Sequence, residues 1–90
     1  MAITVQLPKD VSGFEAEVNL GEDFHLVLRA MNTAVGPVMN IYDAKRGRWQ
    51  EREYAGSLDD AKAKAEKIAR AMHKHARLKK EFPPLTWQAI

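Results

Sequence analysis

Residues 14–31, FEAEVNLGEDFHLVLRAM, decide the fold. Phe14, Ala16, Val18 and Leu20 alternate with Glu15, Glu17 and Asn19, the period of two that gives an extended strand one apolar face and one wet face. Gly21-Glu22-Asp23 is a turn-forming break, and beyond it Phe24, Leu26, Leu28 and Ala30 alternate with His25, Val27, Arg29 and Met31. Two strands with matching apolar faces across a short reversal make a hairpin. The second strand also keeps Val27 and Met31 on its outer face, so it is apolar on both sides.

The same reading extends both ways along the chain. Upstream, Ile3, Val5 and Leu7 alternate with Thr4 and Gln6 until Pro8 removes a ladder donor, which predicts a strand over about 2–7. Downstream, Asn32 to Pro37 reads as a loop with Gly36 and Pro37 as breakers, followed by a strand at 38–43. If residue 31 faces residue 38, Leu28 faces Ile41 and Ala30 faces Met39, and the apolar sets fall on one side. A fifth strand at 49–54 follows the tip Ala44-Lys45-Arg46-Gly47-Arg48, where Gly47 can take a left-handed conformation. A three-residue loop would send Trp49, Glu51 and Glu53 to the side of the core, and a four-residue loop would send Gln50, Arg52 and Tyr54 there. Burying two glutamates is costly, so the second is expected, with Trp49 on the far face.

A long helix comes last. Ser57 is an N-cap with Asp60 three residues on, and Asp59 and Asp60 complement the positive end of the helix dipole. Leu58, Ala61, Ala65, Ile68, Met72 and Ala76 recur at steps of three and four, one stripe that should cover the sheet. Asp60 with Lys64, and Glu66 with Arg70, are acid-before-base pairs at four-residue spacing. Pro83-Pro84 cannot continue a helix, so the spacing predicts a helix over 58–81, about 36 Å long. That exceeds a strand of about 20 Å, and the last turns should overhang the sheet. The tail 82–90, with Phe82, Leu85, Trp87 and Ile90, is apolar for a terminal segment, and it reads either as folding back over its own sheet or as an arm that docks on a twin subunit or partner.

These elements define the α+β class: a four- to five-stranded antiparallel meander, then one long C-terminal helix on one sheet face, within a single domain spanning 1–90. Ninety residues hold one core, and 46% hydrophobic with 29% charged residues is the composition of a chain that folds. The chain has no cysteine, no signal-peptide pattern and no apolar run of about 18 residues, so a cytoplasmic protein that does not enter the membrane is expected. Its net charge of +2 is unevenly spread: residues 1–44 carry 2 basic and 6 acidic side chains, and residues 45–90 carry 12 basic and 6 acidic.

Catalytic patterns are sparse. His73 and His75 stand about 200° apart on a helix and cannot chelate one metal from one face. His73 reads as solvated, His75 as bordering the stripe, and His25 as polar surface. Glu15 and Glu17 share a wet strand face, Ser57 is a cap, and Ser12 has no histidine near it in sequence. No enzyme activity, metal or cofactor is expected. The expected function is a binding or assembly module, a dimer or the subunit of a protein partner. It would use the far sheet face through Val27, Met31, Val38 and Tyr42, and a C-terminal arm through Phe82, Leu85 and Trp87, because a small protein seldom leaves such apolar area wet. The alternative is nucleic-acid binding. It would use the hairpin residues Lys45, Arg46, Arg48, Trp49 and Arg52 with the helix residues Lys67, Arg70 and Lys74.

Overall fold

The computed structural model describes residues 13–90. They form β1 (Gly13–Asn19), β2 (His25–Thr33), β3 (Gly36–Asp43), β4 (Arg48–Tyr54), α1 (Leu58–Ala76) and β5 (Gln88–Ala89). The strands make one antiparallel sheet in the order β4-β3-β2-β1-β5. The strand expected over 2–7 lies outside the described residues, and the fifth strand of the sheet comes from the tail instead.

The central register is the one read from the alternation: Met31 faces Val38, Ala30 faces Met39 and Leu28 faces Ile41. Val18, Leu26, Leu28, Ala30, Met39 and Ile41 pack on one side of the sheet with Ala61, Ala65 and Ala69 of α1. The small alanines let the helix backbone approach β2 and β3 closely, and Leu58, Ile68 and Met72 fill the margins. Ala76, expected at the end of the stripe, is exposed, and Ala69 takes a core place instead.

The loop expected over 32–37 contracts to Ala34 and Val35, because Thr33 pairs with Gly36 and Asn32 with Pro37. Gly36, at φ +120, absorbs the reversal, and the Thr33 hydroxyl donates to the Gly36 carbonyl at 2.7 Å. Pro37 is the second residue of its strand, beyond the stretch paired with β4, so its missing N–H breaks no ladder there.

β4 contradicts the expected register. The four-residue tip is present, with Asp43 opposite Arg48 and Trp49 opposite Tyr42 on the far face. A bulge then leaves Gln50 without a cross-strand partner, and Glu51 faces Ile41 while Glu53 faces Met39. Arg52 and Tyr54 therefore join Trp49 on the far face, and the glutamates stand on the helix side. They avoid burial because α1 lies over β2 and β3, leaving β4 beyond its edge. There Lys64 reaches both Glu53, at 3.8 Å, and the Tyr54 carbonyl, at 3.3 Å, rather than Asp60.

α1 starts as expected. The Ser57 hydroxyl accepts from the Asp60 N–H at 3.0 Å, and the Asp60 carboxylate accepts from the Gly56 N–H at 2.9 Å. It stops at Ala76 rather than 81, where Arg77 turns left-handed (φ 54) and donates to the Lys74 carbonyl. A longer helix would carry Leu78 and Phe82 past the sheet. The turn returns them to the core margin, where both are half-buried. Leu85 and Trp87 follow, and β5 pairs Ala89 with Phe14 and Gln88 with Glu15. Of the two readings of the tail, packing against its own chain is the one the structure takes, and Phe82, Leu85 and Trp87 do not form a free arm.

Candidate binding face

Antiparallel registers fix which side chains share the far face. One row across the sheet runs Gln88, Glu15, Arg29, Asn40, Arg52; a second runs Glu17, Val27, Tyr42, Trp49; a third runs Gly13, Met31, Val38, Tyr54. A polar row therefore separates two rows rich in apolar and aromatic side chains. The Arg29 Nε donates to Glu15 Oε1 at 2.8 Å, and the guanidinium lies 5.7 Å from the Trp49 ring centre. Tyr42 meets Trp49 edge-on at 5.1 Å. Together with Val27 these four residues line an open groove of about 330 Å³. Trp49 keeps 52% of its surface exposed and Tyr54 61%. A ring nitrogen of His25 hydrogen-bonds the carboxylate of Glu17 in the neighbouring strand.

Of the expected partner-binding residues, Val27, Met31 and Tyr42 stand on this face, half-buried. Val38 stands there too but is 1% exposed, so it offers no free surface; its cross-strand neighbours are Met31 and Tyr54. Phe82, Leu85 and Trp87 are on the core side. Phe82 stacks edge-on against His73, which in turn meets Phe24 and donates from Nε2 to the Lys80 carbonyl at 2.6 Å. His73, expected as solvated, is half-buried between Phe24 and Phe82. His75, expected beside the stripe, is exposed.

The basic residues are divided between two layers. Lys45, Arg46 and Arg48 sit at the tip of the β3–β4 hairpin, and Arg52 with Trp49 on the far face. Asp43, 8% exposed, accepts from the N–H groups of Lys45 and Arg46 and holds the tip in shape. Lys67, Arg70 and Lys74 are exposed on α1, on the opposite side of the sheet. Arg70 is engaged there, 2.9 Å from Glu66 and 4.6 Å above the Phe82 ring. The fold does not gather the expected set into one surface.

Glu15 and Arg29 were not expected as site residues. Their pairing was available to sequence reasoning, since any hairpin closed at Gly21-Glu22-Asp23 in this register sets residue 15 opposite residue 29. The β4 bulge, which brings Arg52 into the same row, had no sequence signal.

A second concavity, of about 530 Å³, lies between the Asp23–Leu26 segment, the hairpin tip and the end of α1. Its floor is Phe24, Leu26, Met72 and Leu78, and its rim includes Asp23, Lys45, Arg46 and His75. Among the described residues no three His, Asp or Glu side chains gather as a metal site, and no helix is long and apolar enough to cross a membrane. Compared with protein-family models, curated proteins and solved structures, the chain matches none.

Proposed function

We propose that the protein is a binding and assembly module whose working surface is the sheet face away from α1. The observation that carries this reading is Trp49, a large aromatic left half in water at the rim of a groove whose other walls are Val27, Tyr42 and the Arg29–Glu15 pair. Exposed aromatic area is unfavourable by about 25 cal/mol per Å², and aromatic side chains with arginine dominate the energetics of protein interfaces. Four of the carboxylates have structural duties: Glu15 holds Arg29, Glu66 holds Arg70, Asp60 caps the helix and Asp43 shapes the hairpin tip. This supports binding over catalysis.

Nucleic-acid binding is the second reading, supported by the guanidinium of Arg29 over the exposed Trp49 and by Arg48 and Arg52 on the same strand. One reporter separates the two. In a Trp87→Phe chain, Trp49 is the sole tryptophan. Its emission should shift to the blue and lose acrylamide quenching as protein concentration rises. A shift seen only with an added oligonucleotide, and lost at high salt, would transfer the face to nucleic acid. A signal indifferent to both would remove the reading.

A further inference from the structure

The far face does more than expose an aromatic; its polar row carries opposite charges on β1 and β4. Along the polar row the acid, Glu15, is on β1 and the cation, Arg52, is on β4, with Arg29 and Asn40 between them on β2 and β3. Neighbouring strands are about 4.8 Å apart, so Glu15 and Arg52 are separated by about 14 Å and lie at equal distances from the line between β2 and β3. Glu15 is shared with Arg29, whereas among the described residues no carboxylate is in ion-pair reach of Arg52.

An isologous dimer uses the same patch twice, so its symmetry axis decides which residue meets which. An axis lying along the row would set Glu15 over the partner's Glu15, Arg29 over the partner's Arg29 and Arg52 over the partner's Arg52. Three like-charge juxtapositions at an interface oppose that arrangement strongly. An axis parallel to the strands, midway between β2 and β3, exchanges the two ends of the row. Glu15 then meets the partner's Arg52, and Arg29 meets the amide of the partner's Asn40, whose oxygen is an acceptor. In the row beside it, Val27 meets the partner's Tyr42. Packed sheets cross at about 30°, which displaces residues about 7 Å from the axis by about 4 Å, within the reach of an arginine side chain.

We propose that the occupant of this face is a second copy of the chain, docked about a twofold axis parallel to β2 and β3, with Glu15 of each copy against the partner's Arg52. The inference rests on the binding face argued above and names what covers it.

The test uses two charge reversals and their mixture. Glu15→Arg alone sets Arg against Arg at both symmetry-related contacts, and Arg52→Glu alone sets Glu against Glu. Each is expected to weaken dimerisation about tenfold or more in sedimentation equilibrium, with Lys79→Glu as a control for the charge change of Arg52→Glu. Mixing the two variants restores a complementary pair at both contacts, so a heterodimer near wild-type affinity should form. Arg52 is exposed on an edge strand, and its reversal leaves the Arg29–Glu15 pair intact, so Arg52→Glu serves as a check on folding where Glu15→Arg strains that pair. Variants that dimerise like the wild type, or a mixture that stays monomeric while both components are folded, overturn the proposed geometry. If the wild type associates and the Trp87→Phe chain shows the Trp49 shift, but the reversals leave association unchanged, only the geometry falls. If the wild type shows neither mass increase nor Trp49 shift, the assembly reading falls with it.

Discussion

The two faces of this sheet are made from the same strands in alternation, yet they solve different problems. On the helix side, Leu26, Leu28, Ala30, Met39 and Ile41 lose nearly all contact with water beneath Ala61, Ala65 and Ala69. On the far side, Val27, Met31 and Tyr42 remain half-buried, Glu15 pairs with Arg29 across the strands, and His25 meets the Glu17 carboxylate. One face is filled by dry packing. The other is organised by ion pairs and aromatic edges, so it is ordered without being closed. A surface that is rigid and partly apolar before any partner arrives loses little conformational entropy on binding.

This contrast can be broken most directly at adjacent residues of β2. Leu28→Ala should lose about 2–5 kcal/mol of stability in urea denaturation, because it leaves a cavity beneath α1. Val27→Ala, one residue away on the open face, should lose about 1 kcal/mol or less. Equal losses would mean that the two faces are buried alike. The second test concerns the tail. Trp87→Ala should lose about 2 kcal/mol, since the ring packs on the core cluster with the Lys62 ammonium 5.9 Å from its centre. An unchanged urea midpoint would free the tail to act elsewhere. The smallest expected effect sharpens the helix side alone: Ser57→Ala removes the acceptor for the Asp60 N–H and should lower stability by about 1 kcal/mol, with Ser57→Asp recovering most of it.

The legible parts of the molecule are those where neighbours in sequence are also neighbours in function. Alternation at 14–20 and 24–31 places the apolar set of each strand, and the same logic aligns Leu28 with Ile41, because a slip of one residue would turn every side chain of β3 outward. Ser57 and Asp60 mark the helix start through contacts only three residues apart. The site is less legible. Val27, Met31, Tyr42 and Trp49 fall where alternation puts them. Arg52 reaches the face only because Gln50 is extruded as a bulge, and the expectation that Glu51 and Glu53 avoid the helix side assumed that α1 shades β4.

The chain by itself determined the meander of β1 to β4, the faces of β1, β2 and β3, and the capped start of α1, since local periodicity and short-range hydrogen bonds specify these without reference to the rest of the molecule. Tertiary structure alone decided where α1 ends, where the tail goes, and which residues β4 shows on each face. In each case two local conformations were open to the backbone. The choice fell to contacts with distant groups: Leu78, Phe82 and Trp87 against the core margin, and Arg52 and Tyr54 opposite Asn40 and Val38 beyond the bulge at Gln50. Contacts of that kind depend on where the other strands already lie, and no window of sequence contains that information.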